Sequence, residues 1–310
     1  MIKKRLRILY MAINILCAIV LSLGCSQAHM PSHSLVAGIR SDYQISINED
    51  HSINEHANYN SVYSFDDWEG IKSVDYGIVN VGGLKDDGSV VVTGNNKTGA
   101  CNVQDWSEIK ALAFTAFTTY GLKSDGTIIH TDHQEQTDGI FSVDQNIINE
   151  VDKWSDIVDI KGAQFILAGI KKDGGVVVSA PTIPEFEEGV GKWRNIKQIS
   201  VSMTMILGLT WEGEVLCVYD NLTNNYSPKD RLLQYKDLDG AKKVFAGQTY
   251  IAGLMPDGSL KIRIIELGHK DAEELMNLDA LTNVKDANNY EEYLSILTND
   301  GEILVAGYIE

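Results

Sequence analysis

A chain of 310 residues with 44% hydrophobic side chains and a mean hydropathy of −0.11 is long enough to bury one large core. Its formal charge of −17 opposes binding to nucleic acid or to an anionic lipid surface. Four cysteines, with no C-x-x-C and no Cys/His cluster, give no sign of a thiolate metal site.

Residues 1–24 read as a targeting segment. Lys3, Lys4, Arg5 and Arg7 precede an apolar run, Ile8–Gly24, that is short for a membrane span. The run ends Leu21-Ser-Leu-Gly-Cys25, which looks like a bacterial lipobox with Leu at −2. The expectation is cleavage before Cys25, lipid attachment to its sulfur, and a short tether over residues 25–34. An ordinary signal peptide or an uncleaved anchor is the plainer alternative. With Cys17 lost and Cys25 lipidated, Cys101 and Cys217 remain, and both are expected to be free thiols.

One frame then recurs along the chain. A Trp, an Ile three residues on, a Gly-Leu-Lys and an Asp-Gly turn span Trp68–Gly88, Trp106–Gly126, Trp154–Gly174 and Trp193–Gly213. Leu238–Gly258 and Leu281–Gly301 repeat it with Leu for Trp, and all six copies keep the same 20-residue offset. Between anchor and turn lie two alternating runs, and a third follows, as in Ser89-Val-Val-Val-Thr93. Such runs read as β-strands. The Asp-Gly pairs read as two-residue hairpin turns. Their aspartates have no D-x-D-x-D-G spacing, so turn chemistry accounts for them better than calcium does. Gly83, Gly121, Gly169, Gly208 and Gly253 sit inside strands, where close backbone approach is the usual reason, here assigned to strands crowding an axis.

A period of about 40 residues with three or four strands per unit predicts an all-β fold, a single β-propeller over residues 35–310. Six units are clear. Ala37-Gly-Ile-Arg-Ser-Asp42 aligns with Ala168–Asp173 and Gln44–Ile47 with a third strand. That predicts a seventh, N-terminal blade lacking its first strand, with N-terminal strands closing the ring beside C-terminal ones.

The stretches Val81-Gly-Gly-Leu-Lys-Asp-Asp-Gly-Ser and Tyr120-Gly-Leu-Lys-Ser-Asp-Gly-Thr-Ile resemble repeats of the regulator-of-chromosome-condensation type, most closely the bacterial subclass with a W-x-x-I anchor. The resemblance covers residues 68–310 and weakens in the last two units. It implies seven blades and a role as a protein-interaction platform.

Chain length varies only between a third strand and the next anchor, in Thr131–Lys153, Ala180–Lys192, Asp220–Asp237 and Gly268–Ala280. Insertions confined this way mark one face. Phe141, Phe186, Tyr226 and Tyr235 in them are either contacts or loop packing, and Asp271–Leu281 has helical spacing. A second candidate surface is the ring of turns joining first and second strands. It would present Tyr76, Phe117, Phe165, Met203, Tyr250, Tyr290 and Tyr293 as an aromatic and Met rim, against the alternative that several point into the core.

No nucleophile elbow, phosphate loop or zinc motif appears. His130 and His133 flank Asp132 without a third ligand. The reading is therefore a membrane-anchored extracytoplasmic module, non-enzymatic, monomeric, without cofactor or metal. Its expected partner is an unidentified extracytoplasmic protein, not nucleic acid. An envelope carbohydrate-binding module and a hydrolase or lyase with its site dispersed over blades are the alternatives.

Overall fold

The computed structural model describes residues 35–40, 43–57, 63–132, 139–220, 233–265, 275–290 and 293–307. The chain forms seven three-stranded antiparallel sheets, each made of consecutive strands. Blade 1 holds β1 (Val36–Arg40), β2 (Tyr43–Ile47) and β3 (Ile53–Ala57), and blade 2 holds β4 (Ile71–Tyr76), β5 (Asn80–Lys85) and β6 (Val90–Gly94). Blade 3 holds β7 (Ile109–Phe114), β8 (Thr119–Lys123) and β9 (Ile128–His130). In blade 4 the strands are β10 (Ile157–Ala163), β11 (Ile166–Lys171) and β12 (Val176–Ser179). Blade 5 contains β13 (Ile196–Val201), β14 (Met205–Thr210) and β15 (Val215–Tyr219), and blade 6 β16 (Lys243–Ala246), β17 (Tyr250–Leu254) and β18 (Leu260–Ile264). Blade 7 ends the order with β19 (Val284–Tyr290), β20 (Tyr293–Thr298) and β21 (Ile303–Ala306). The first strands of successive blades lie side by side around the axis. The fold is a seven-bladed β-propeller.

The turn between second and third strands is the same object in every blade. The residue before it donates its N–H to the residue after it, Lys85 to Ser89, Lys123 to Thr127 and so on, at 2.8–3.0 Å. Only the Gly has positive φ, from 78° to 88° over Gly88, Gly126, Gly174, Gly213, Gly258 and Gly301. The expected two-residue turn with two positive-φ residues is thus a three-residue loop that ends in a left-handed Gly. Asp87, Asp125 and Asp257 accept from the N–H and hydroxyl of the Ser or Thr two residues on, at 2.6–2.9 Å. Those bonds hold the three exposed carboxyls below their ordinary pKa, the hydroxyl bond contributing most.

The turn carbonyl then joins the blades. His51, Gly88, Gly126, Gly174, Gly213 and Gly258 each accept an N–H from the start of the next blade, at 2.7–3.1 Å. His51 stands among them with φ 65°, and Asp50 accepts from Ser52 as Asp87 does from Ser89. Blade 1 therefore has its turn at Asp50-His51, not at Asp42-Tyr43. Val36–Arg40 is its inner strand and Tyr43–Ile47 its middle strand. The N-terminal blade is complete in three strands, and it shares no sheet with blade 7. A His in the Gly place hid the register.

The strand glycines have a different cause from axial crowding. A Cβ on Gly83, Gly121 or Gly208 would stand 2.6–2.8 Å from the ring of Trp68, Trp106 or Trp193, the anchor of the same blade. Each indole packs against a bare stretch of the middle strand and fills the seam with the preceding blade. A second repeated position, two residues after each anchor, is left-handed throughout: Gly70, Glu108, Asp156, Asn195, Gly240 and Asn283, at φ 57–86°.

Six apolar clusters occupy the six seams from blade 1–blade 2 to blade 6–blade 7. The insertions reinforce two of them. Helix α1 (Gly139–Val151) sends Ile147, Ile148 and Val151 into the blade 3–blade 4 cluster. Helix α2 (Glu185–Val190) sends Phe186 and Val190 into the next. Among the described residues, no helix is long and apolar enough to cross a membrane. The leader 1–24, Cys25 and the tether lie outside the described residues.

Candidate functional site

The propeller has two unlike faces. On one, here the base, lie the second-to-third-strand turns, whose tips all carry an acid: Glu49-Asp50, Asp86-Asp87, Ser124-Asp125, Lys172-Asp173, Trp211-Glu212, Pro256-Asp257 and Asn299-Asp300. On the other, the rim, lie the first-to-second-strand turns. In blades 2 to 6 their tips are Ile78-Val79, Ala116-Phe117, Gln164-Phe165, Met203-Thr204 and Gln248-Thr249. None of these is charged, in a chain of net charge −17.

The structure separates the expected rim residues into two groups. Phe117, Phe165, Met203 and Tyr293 are half-buried on the rim. The rings of Phe117 and Phe165 are 6.2 Å apart and tilted by 49°, and Gln248 Nε2 reaches Met203 Sδ at 3.4 Å. These contacts tie neighbouring tips into one surface. Tyr76 and Tyr250 are core residues, 4% and 0% exposed. The Tyr250 ring folds back over Gly247, where any Cβ would overlap it, and its hydroxyl donates to Tyr293 O at 2.7 Å. Tyr290 ends β19, and its side chain is outside the described residues. Sequence reasoning missed Ile78 and Val79, the most exposed apolar pair of the rim at 41% and 36%. A search for aromatics passes over them, although their place in the repeat is the same.

The segments that follow blades 2 and 3 touch this same face. Thr98 Oγ1 donates to Phe117 O at 3.1 Å and Thr119 Oγ1 to Ala100 O at 2.7 Å. Thr115 Oγ1 donates at 2.7 Å to Asp144, a fully buried carboxylate of α1, and Thr118 donates to it as well. Phe186 is fully buried, which settles it as loop packing, and Tyr235 is half-buried beneath Lys236. Tyr226 and the side chain of Phe141 are outside the described residues. Helical residues 275–277 confirm part of the expected Asp271–Leu281 helix, with Leu275 buried and Met276 52% exposed.

Below the rim the axial channel is filled. Two rings of inward side chains come from the inner strands, five and seven residues after each anchor. The deeper is Ser73, Ala111, Asp159, Gln198, Lys243 and Asp286, and the shallower Asp75, Ala113, Lys161, Ser200, Phe245 and Asn288. Lys161 of blade 4 bonds Asp75 of blade 2 at 2.8 Å, and Ser200 of blade 5 bonds Asn289 of blade 7 at 2.9 Å. Lys243 pairs with Asp286. The central cavity left is about 30 Å³, room for one or two waters. Burial by itself lowers the Lys161 pKa, but Asp75, Asp159 and Asp286, with the Asp75 hydrogen bond, outweigh it and raise the pKa above that of an ordinary lysine. The channel is a polar plug.

Other chemistry is sparse. Cys101 and Cys217 are free, and burial pushes the Cys217 thiol up to about 12. His130 Nε2 stands 3.3 Å from Asp152, and His133 is outside the described residues. Among the described residues no group of three His, Cys, Asp or Glu side chains could hold a metal ion.

No protein-family model and no curated protein matches the sequence. Solved structures do match the fold. The CRINKLY WD40 ectodomain of the Arabidopsis thaliana receptor kinase ACR4 aligns with TM-score 0.64 at 12% identity, over 89% of this chain and 95% of that one. The ectodomain of the Physcomitrella patens receptor kinase CR4 aligns with TM-score 0.61 at 13% identity, over 90% and 75%. Prp20p of Saccharomyces cerevisiae, which binds Gsp1p and histones, aligns with TM-score 0.52 at 13% identity, over 79% and 73%. These likenesses show the β-propeller fold, as the repeats led us to expect.

Proposed function

We propose that the chain is a lipid-anchored extracytoplasmic propeller that binds another protein through its rim, without catalysis. The observation that carries this is the uncharged sector over blades 2 to 6, with Ile78, Val79, Phe117, Phe165 and Met203 on it. A strongly acidic chain that leaves five adjacent turn tips without charge has a surface suited to desolvation, as interface centres require. The folding of Asp144 and Thr98 against the same turns fixes their geometry, which lowers the entropy cost of binding. A propeller with a protein partner has precedent in Prp20p. The leader and the Gly24-Cys25 junction support the anchored, extracytoplasmic placement.

Photo-crosslinking in the producing cell tests the face. A crosslinker in place of Val79 is expected to capture one defined protein, and one in place of Asp87 on the base is not. Capture from Asp87 alone would move the site to the base. Capture from neither would sink the protein-binding reading and turn the work to envelope glycans. Separately, Cys25→Ser is expected to shift the chain from the membrane to the soluble fraction, and retention there would refute the lipid anchor.

A further inference from the structure

Most polar side chains around the axis are matched by direct bonds. Lys161 has Asp75, Lys243 has Asp286, and Gln198 takes both the N–H and the carbonyl of Val244. Two side chains on blade 7 are different. Asn288 lines the central cavity, and its Oδ1 accepts from the N–H of Asn289 at 3.0 Å. Its Nδ2 has no hydrogen-bond partner, although the residue is only 8% exposed. On the adjoining strand Ser295, at 0% exposure, has an Oγ without a partner.

The two groups belong together. Asn288 and Ser295 are directly opposed in the β19–β20 pair. Opposed residues put their Cβ atoms about 4.5–5.5 Å apart on one face of a sheet. Neighbours at that spacing are close enough for one small molecule to touch both, yet they do not bond each other. Left dry, each would lose a hydrogen bond to water that nothing replaces. A buried water is the usual remedy where the site is polar and has room. The adjoining cavity of about 30 Å³ gives that room. Ions fit worse. The channel already holds three carboxylates, Asp75, Asp159 and Asp286, against two ammonium groups, Lys161 and Lys243, so an anion would be repelled. A cation would face Nδ2, a donor with no lone pair to give.

We propose that blade 7 binds one internal water between Asn288 Nδ2 and Ser295 Oγ, at the wall of the axial cavity. The water accepts the Asn288 N–H and shares a second hydrogen bond with the Ser295 hydroxyl. Its remaining bonding capacity turns to the cavity. The plug is thus completed by solvent on the side where two protein groups stand opposed without bonding. The site takes an uncharged ligand and rejects ions of either sign.

A high-resolution crystal structure of the folded chain tests the site directly. It is expected to show one density peak within hydrogen-bond distance of both atoms, unchanged after soaks in bromide or in rubidium. A direct Asn288–Ser295 bond, the lack of a peak, or an anomalous signal from either ion would overturn the proposal. Thermal unfolding gives an independent check, because the wet and dry cases differ in sign. With a bridging water, Asn288→Leu and Ser295→Ala each take one bond from it, and each is expected to lower the melting temperature. The double substitution removes the site and its water together, and is expected to recover at least half of the summed loss. Dry groups predict the reverse: each single substitution raises the melting temperature, and the two effects add. Additive effects of either sign would overturn the proposal.

Discussion

The base and the rim are built from the same seven blades, yet one is monotonous and the other is not. Each base turn repeats one hydrogen-bond pattern, one left-handed residue and one acid, because each has two structural tasks. It reverses the chain, and in blades 1 to 6 its carbonyl holds the next blade. Rim turns share no bond to the next blade that repeats around the ring, so their tips are free to differ, and no two of those in blades 2 to 6 match. Positions constrained by the ring recur in the sequence, and the rim tips do not. Substitutions on the two faces should therefore separate stability from binding.

The largest effect is expected for an anchor. Trp106 is 7% exposed and lies on Gly121 in the blade 2–blade 3 seam. Trp106→Ala should cost about 3–5 kcal/mol in a denaturant titration, the usual cost of deleting a buried aromatic ring. A loss below about 1 kcal/mol would mean that the seams do not depend on the anchors.

Next comes the plug. Lys161→Met leaves the Asp75 carboxylate without the ammonium it bonds. Removal of one partner from a buried pair should cost about 3 kcal/mol. The pH dependence has a definite sign. A lysine whose pKa is raised by folding stabilises fully below its unfolded value, about 10.4, and loses that contribution as pH climbs through the higher folded value. The difference in melting temperature between the native chain and Lys161→Met should hold steady from pH 7 to about 10. It should shrink above that. A difference that shrinks from pH 7 instead would contradict the assignment of the Asp75 ion pair.

A turn glycine ranks third. Gly126 has φ 88°, and a Cβ there would sit 3.1 Å from Ile157 O. Gly126→Ala should cost about 2 kcal/mol, from the left-handed backbone and the crowded carbonyl together. By contrast, Ile78→Ser with Val79→Thr on the rim should change stability by no more than about 0.5 kcal/mol while abolishing capture of the partner. A rim pair that unfolds the protein would erase the contrast between the faces.

Much of this was legible because the ring imposes repetition. The anchors, the Gly-Leu-Lys strands and the turns gave blade number and strand order for residues 68–310. Blade 1 was read out of register because His51 holds the place of glycine. A residue that tolerates positive φ only when the hydrogen bonds around it are already made looks like nothing in a sequence. On the rim, periodicity placed the tips correctly but could not give the direction of each side chain. Tyr250 and Phe117 occupy adjacent columns of the repeat, Tyr250 folded inward over Gly247 and Phe117 left at the surface. Strand alternation decides that, and it becomes clear only once the register is known.

The left-handed column after the anchors was not legible at all, since Gly, Glu, Asp and Asn share no obvious property. Its odd member is Glu108, at φ 61° with a Cα that lies 3.4 Å from where a Cβ on Gly88 would stand. Asp and Asn at this column tolerate the conformation, and Gly adopts it freely, but Glu has neither advantage. Relief of that strain should exceed the entropy that a glycine adds to the unfolded chain. Glu108→Gly is thus expected to stabilise the protein, by about 0.5–1 kcal/mol in thermal or denaturant unfolding. Glu108→Asn should recover about half of that gain. If instead both lower stability, Glu108 holds the base turn of blade 2 through a contact of its side chain, and the column is set by contacts between blades and not by backbone conformation.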